Sequence, residues 1–463
     1  MRPILLSFLA VISLNTALLA DTVTEIDKLM SGLYEQGDFN GSILVAQQDK
    51  IIYSKGFGMA NFKTQEGFLP STASCIASVT KQFTAMGIMM LAADGRIDYD
   101  DAVTKYITNL PSCYQPVTLR HILTNTSGVI DYDNLGDGRQ DKLIARQRSL
   151  RFQPGLKYEY SNSNYVLLSL VIESVNGESF SDFLHKHIFS PLGMTNTFSY
   201  INVGNKLTKK AIGYNQFGKE NDYESTSFFG DGGVYSTVED LFKWHRALYT
   251  DKLLRQSTLA EAFVPGDVKE GSTTYGFGWN ISVDEHGKYV WHTGNTAGFR
   301  AYIQHRLDDE TAIIILTNTG PSRRMEIAQA INHILHGEPY EPIKKSAAKK
   351  MYSVIKHDGI DSAMKFYYSI QQNGAQADYD LSETEFNLLG YELLNADEKV
   401  DEAIEIFKLN TQAFPASSNT FDSLGEAYLK KGDTKSAYVC YQRALEIDPG
   451  NLNAANMLKK IKR

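Results

Sequence analysis

Apolar positions first recur with helical spacing at 22–36, where Ile26, Leu29, Met30 and Leu33 share one face. The texture then becomes that of strand. Residues 41–47 and 51–57 are β-branched and aromatic runs flanking the polar Gln48-Asp49-Lys50, which predicts an antiparallel hairpin. A helix is predicted over 78–93, with Val79, Phe83, Met86, Met90 and Leu91 as its apolar turns and Asp94-Gly95 as its stop. The middle of the chain, about 100–265, reads mostly as helix and loop. Strand texture returns at 275–282, 289–291, 298–306 and 311–317, and a helix at 325–335 follows. Strands at both ends with helices between them imply an α/β fold of the α+β kind. One antiparallel sheet is assembled from both ends of the domain and flanked by helices, and a helical subdomain is inserted between.

Beyond Gly337 the pattern changes. Residues 338–350 carry two prolines and four lysines without strong periodicity, as a linker does. Further on, residues recur 34 positions apart: Ala403 with Ala437, Phe407 with Tyr441, Pro415 with Pro449. Leu424-Gly425, Tyr428, Ala437, Tyr441, Ala444 and Pro449 fit the tetratricopeptide pattern. Gly390 lies thirteen residues before Ala403, against twelve from Gly425 to Ala437, so the first repeat carries one extra residue. Residues 359–367 read as a degenerate earlier unit. The chain therefore divides into a leader (1–20), a main domain (21–337), a linker with a degenerate helical repeat (338–382) and an all-α repeat domain (383–463). Two repeats bury too little surface alone, so they are expected to pack on the degenerate unit or on the main domain. They either brace the protein or offer a groove for a peptide or protein partner.

At 463 residues the chain is too long for one core, in keeping with that division. Its net charge of −8 gives no electrostatic reason to bind nucleic acid or anionic lipid, since both need a basic face. At the N-terminus, Arg2, an apolar run over 4–14 and the small residues of Ala17-Leu18-Leu19-Ala20 read as a secretion signal. The run is short for a membrane span, and no other segment approaches that length. The expected location is periplasmic or extracellular, with membrane anchoring if the signal stays uncleaved. Cys75, Cys113 and Cys440 are an odd number. Buried free thiols and a Cys75–Cys113 bridge are both open. None has a partner at metal-ligand spacing, so no metal and no cofactor is assigned. His185-Lys-His187 resembles a metal pair in composition only.

Three short patterns carry chemistry. Ser78-Val79-Thr80-Lys81 puts a serine and a lysine on one helix face. A serine hydroxyl is a weak nucleophile until a neighbouring base takes its proton, and a lysine of lowered pKa is such a base. Position at a helix N-terminus adds free N–H groups for an oxyanion. The spelling alone is common, since 346–349, 353–356 and 362–365 also match it. Ser78 differs in context: no other charge lies between Glu66 and Lys81. Tyr160-Ser161-Asn162 supplies a phenol able to move a proton and an amide able to bond both Lys81 and a substrate carbonyl. Tyr132-Asp-Asn134 and Tyr200-Ile-Asn202 share that spelling. His292-Thr293-Gly294 falls on a predicted edge strand. There Gly294 lets a substrate backbone approach, Thr293 can hold a carboxylate, and the Asn295 N–H can join that of Ser78 as an oxyanion hole. His357-Asp-Gly359 repeats the His-x-Gly spelling. Arg300 is either a carboxylate ligand or part of a structural ion pair.

The three patterns occur in this order, 82 and 132 residues apart, inside the main domain. Together they resemble the β-lactamase-related serine hydrolases: class C β-lactamases, D-alanyl-D-alanine carboxypeptidases, D-aminopeptidases and related esterases. The resemblance covers about 24–337 and includes the segments at 119–128, 232–241 and 275–279. It implies that Ser78 is acylated, that Lys81 and Tyr160 handle protons, and that Asn162, Thr293 and Asn295 position a small peptide, β-lactam or ester. Where class C β-lactamases carry Lys-Thr-Gly this chain has His292-Thr-Gly, while Thr80 and Ser161 lean toward the carboxypeptidase spelling. A neutral histidine supplies less positive charge than lysine, which argues against efficient antibiotic hydrolysis. The alternatives are a small-ester esterase of the same fold and a catalytically silent repeat scaffold; the latter would ordinarily have lost Lys81 or Tyr160.

Overall fold

The computed structural model describes residues 3–199, 210–222, 229–320 and 322–461, with side chains from residue 19 onward. The chain forms two compact units, 1–340 and 341–463.

The first unit is built on a six-stranded antiparallel sheet. Its strands are β1 (Gly41–Gln47), β2 (Lys50–Phe57), β3 (Asn280–Asp284), β4 (Gly287–Thr296), β5 (Phe299–Arg306) and β6 (Thr311–Thr317), in the order β2-β1-β6-β5-β4-β3. The sheet joins the two ends of the unit where β1 meets β6, from Gly41 opposite Thr317 to Ala46 opposite Ala312. All seven residues of β6 are buried, as its unbroken apolar run requires of a strand covered on both faces. Gln48 and Asp49 both have positive φ, so β1 and β2 are joined by a two-residue turn whose twist matches the strands. Lys50, expected in that turn, opens β2 instead.

Two expectations shift at the far edge. The strand expected at 275–282 begins only at Asn280, because Tyr275 and Phe277 are buried in the turns before it. Strand β4 is longer than 289–291, running from Gly287 to Thr296. Its first half pairs with β3 as far as Trp291 opposite Asn280. From His292 onward β3 has ended, so the stretch bearing His292-Thr293-Gly294 is an edge although the strand as a whole is not.

Helix α1 (Pro3–Glu35) runs continuously through 17–20; Arg2 lies outside the described residues. Among the described residues no helix is long and apolar enough to cross a membrane. Helix α2 (Thr80–Ala93) is buried on nearly every side, so its polar Lys81 and Gln82 need internal partners. Gln82 Oε1 accepts a hydrogen bond of 3.0 Å from the Trp244 indole on α4 (Val238–Ala247). Helix α3 (Asn162–Asn176) lies in the inserted helical region, and α5 (Arg324–His336) closes the unit.

The second unit is all helix apart from one short strand pair. Helices α6 (Ala347–Asp358) and α7 (Ile360–Gln372) form a complete hairpin where a linker and a fragment were expected. Ser346, expected in the linker, caps α6, and the buried Glu385 carboxylate accepts from its hydroxyl and from the Ala348 N–H. The repeats follow as α8 (Glu383–Tyr391), α9 (Val400–Ala413), α10 (Ser418–Lys431), α11 (Thr434–Ile447) and α12 (Leu452–Ile461). The extra residue of the first repeat is absorbed in one π turn, Glu392–Ala396, at the end of α8. A Cβ on Gly390 would lie 2.4 Å from the Phe407 ring, so only glycine lets α8 and α9 meet there.

Two histidines are buried behind the sheet. The Nδ1 atoms of His245 and His305 are 2.6 Å apart, and His245 Nε2 lies 3.2 Å from the Glu310 carbonyl. Burial pushes His245 down to about 4 and His305 well below its ordinary 6.5, so both are neutral in the fold. Below pH 6.5 the unfolded chain gains protons that the folded chain refuses, and stability falls with pH until the folded pKa is reached. Thermal unfolding followed between pH 7 and pH 4 is expected to lose up to about 1.4 kcal/mol per pH unit for each such histidine. His245→Gln is expected to flatten that slope.

Candidate active site

A cavity of about 300 Å³ opens beside the N-terminus of α2, with Ser78, Tyr132, Asp133, Asn162, Asp231 and Asn295 among its walls. The chain enters through a strained turn. Ala77 has φ 45°, a region costly for a residue with a Cβ, and Ala77–Val79 form a single 3-10 turn before α2. The Ile76 N–H donates to the Val234 carbonyl at 2.9 Å, which fixes the turn from outside. Ser78 is thereby partly exposed at the mouth of a buried helix.

Lys81 is fully buried one helical turn further in. Its Nζ lies 3.1 Å from Ser78 Oγ, 2.8 Å from Asn162 Oδ1 and 2.8 Å from the Asp231 carbonyl oxygen. Two of the three partners are oxygens that can only accept, so they hold two of the amine's directions and leave the third facing the serine hydroxyl. The ring of Tyr160 lies 5.1 Å from the same nitrogen.

The segment bearing Tyr160 and Asn162 is held from below. Asn125 Oδ1 accepts from the Ser161 N–H and from the Asn164 amide, and Asn164 in turn accepts from Ser127. The Asn162 N–H donates to Asp131 at 2.6 Å. The segment at 119–128 thus supports the stretch bearing Tyr160 and Asn162, through Asn125 and Ser127.

His292 is placed differently from the expectation of a substrate ligand. It is buried and does not line the cavity. Its Nδ1 is 2.6 Å from the Thr293 carbonyl, so that nitrogen carries the proton, and its Nε2 accepts from the Tyr275 hydroxyl at 3.0 Å. Burial, then the charge of Lys81, push it down to about 3, so the imidazole is neutral. Gly294 is also corrected. A Cβ there would lie 2.0 Å from the Ile76 carbonyl oxygen, so the close approach is made by the turn before Ser78 rather than by a substrate. Thr293 is half-buried on β4, while Asn295 is exposed at the cavity and its Oδ1 accepts from Arg324 at 2.7 Å.

Among the described residues the Arg300 guanidinium donates to the Thr296 and Phe299 carbonyls. Cys75 and Cys113 are free thiols. Cys75 lines the cavity, but burial pushes its thiol up to about 11, so it stays protonated. Tyr200-Ile-Asn202 lies outside the described residues.

Sequence reading missed three contributors. Tyr132, set aside as a chance Tyr-x-Asn match, lines the cavity and donates to Asp231 Oδ2 at 2.7 Å. Asp231 supplies the carbonyl that holds Lys81, and it stands one residue before the recognised segment at 232–241. Arg324 had no signal, since it reaches Asn295 from the last helix.

A helix-flanked antiparallel sheet with this serine–lysine pair at its margin is the architecture of the β-lactamase-fold serine hydrolases. The chain belongs to the Beta-lactamase family, whose model matches residues 26–337. A tetratricopeptide repeat model matches 423–451. The chain is 31% identical over 363 residues to penicillin-binding protein 4* of Bacillus subtilis (strain 168), covering 71% of this chain and 79% of that protein. It is 29% identical to the putative penicillin-binding protein PbpX of the same organism, over 68% and 80% of the two chains. Among solved structures it resembles the octameric penicillin-binding protein homologue from Pyrococcus abyssi. That match has a TM-score of 0.60 and 27% identity, and covers 72% of this chain and 81% of that one.

Gly294→Ala is expected to destabilise the first unit by about 1–3 kcal/mol, because the new methyl meets backbone that cannot withdraw. Urea unfolding checks this, with Gly67→Ala as the control: there the nearest atom to an added Cβ is 4.0 Å away.

Proposed function

We propose that the protein hydrolyses acyl compounds through a covalent intermediate on Ser78, as a peptidase or amidase of the penicillin-binding type. The observation that carries this is Lys81 Nζ at 3.1 Å from Ser78 Oγ, with its other two directions occupied by fixed oxygens. Ser78 Oγ attacks the substrate carbonyl while its proton passes to Lys81. The carbonyl oxygen becomes an oxyanion facing the N–H groups of Ser78 and Asn295. As the tetrahedral intermediate collapses, the leaving amine or alkoxide takes up a proton through Lys81 and Tyr160. Water then attacks the ester, the same groups accept its proton, and Ser78 is regenerated. Asn162 keeps Lys81 aimed and offers its amide to the acyl group.

The charge of the cavity refines the substrate. Asp133 and Asp231 stand in its wall, and among the described residues no lysine, arginine or histidine lines it. Burial, then the neighbouring Asp131 and Asp231, hold the Asp133 carboxyl above its usual range, against the opposing pull of Lys81. This favours acyl donors that are neutral or cationic near the scissile bond, including small esters, over donors bearing a carboxylate. The leader supports an exported protein. The repeats support a docking surface for a protein partner.

A fluorophosphonate probe is expected to label the wild type and not Ser78→Ala; equal labelling of both would reject the assignment. Steady-state kinetics should show kcat/KM falling on the order of a thousandfold in Ser78→Ala. Across p-nitrophenyl acetate, a D-amino-acid amide, a D-Ala-D-Ala peptide and nitrocefin, the two donors without a carboxylate are expected to turn over faster. Asp133→Asn is expected to narrow that gap.

A further inference from the structure

Away from the cavity, the turn joining β3 to β4 presents Glu285 and His286 to the end of α5. His333 lies in the last turn of that helix, and Glu338 follows its glycine stop. Glu285, His286 and Glu338 bring one ligand atom each within 4.8 Å of one another. Glu338 Oε2 is 3.2 Å from His286 Nε2 and 3.2 Å from His333 Nδ1, and His286 Nε2 is 3.9 Å from Glu285 Oε1. Ligands about 2.05 Å from a tetrahedral zinc ion stand about 3.3 Å from one another. Glu285, His286 and Glu338 are thus already near the spacing that a shared ion imposes, and His333 adjoins them at Glu338.

Two further features point the same way. His333 Nδ1 is buried and faces the Glu338 carboxylate at 3.2 Å. The His286 ring is held flat against His336, 3.6 Å between centroids, and His336 Nδ1 is itself tied to the Asn332 carbonyl at 2.7 Å. Ring orientation fixed from outside is what a metal-binding imidazole requires. Glu285, His286 and His333 also line a cavity of about 290 Å³, which gives an ion a way in.

We propose that Glu285, His286 and Glu338, with His333 as a fourth donor, bind one divalent transition-metal cation of the zinc class. Two imidazoles with carboxylates suit zinc, copper or nickel; calcium and magnesium prefer all-oxygen shells. The ion clips the residues just after α5 to the β3–β4 turn, at the opposite end of the hairpin from His292-Thr293-Gly294. No sequence spacing announces such a site, because its donors come from segments about fifty residues apart.

The test uses the full-length protein, stripped with EDTA and titrated with zinc chloride by calorimetry, with thermal unfolding and elemental analysis alongside. One zinc per chain and a raised unfolding temperature are expected, with no comparable response to calcium. His286→Ala and His333→Ala should each weaken binding by at least roughly tenfold. His187→Ala, which removes a histidine 3.5 Å from Glu178, should leave binding unchanged. Unaltered probe labelling at Ser78 shows that the variants are folded. The proposal is overturned if the wild type takes up no stoichiometric zinc, or if both cluster variants bind zinc as the wild type does. It is equally overturned if the variants lose stability in metal-free buffer while zinc shifts nothing, since that marks ion pairs only.

Discussion

The structure of the first unit turns on one buried lysine. An unpartnered ammonium in an apolar interior is costly by several kcal/mol, and Lys81 escapes that cost only because three oxygens converge on it. Those oxygens come from the mouth of α2, the start of α3 and the loop at Asp231. Three segments well separated along the chain are thus bound to one atom. The same contacts that satisfy the charge also set the serine against the amine. Stability and chemistry are not separable at this point of the fold.

Around that atom the protein controls charge by burial. The imidazole of His292, where a lysine would carry fixed charge, is kept neutral by enclosure and tied to Tyr275. It therefore packs behind Tyr160 rather than attracting an anion. Asp133 and Asp231 stand in the cavity wall, and Lys81 is buried behind Ser78. Gly294 completes the arrangement by letting β4 press on the turn before Ser78, which keeps Ala77 in its strained conformation.

The second unit shows how a repeat tolerates irregularity. One inserted residue would rotate every later side chain of an α-helix by about 100° and turn its apolar face away. The π turn at Glu392–Ala396 takes up that rotation locally, so Phe407 still reaches Gly390 as Tyr441 reaches Gly425. The helix pair α6–α7 shares no clear repeat spelling yet packs beside α8, because burial needs an apolar face and not a particular sequence.

Much of this was legible from residue order. Alternation and helical spacing located the hairpin, α2 and the late strands, and the ordered triplet of motifs singled out Ser78, Lys81, Tyr160 and Asn162. These are local signals, written within a turn or a strand. What the sequence could not express is which distant groups close on them. Asp231 acts through a backbone carbonyl, which every residue possesses. Tyr132 looked like a chance match, Arg324 arrives from the last helix, and His292 reads as a ligand until its burial is known. Glu285, His286, His333 and Glu338 are unremarkable in order and adjacent only in space. Periodicity reports which face of an element is buried; only the folded chain decides what that face meets.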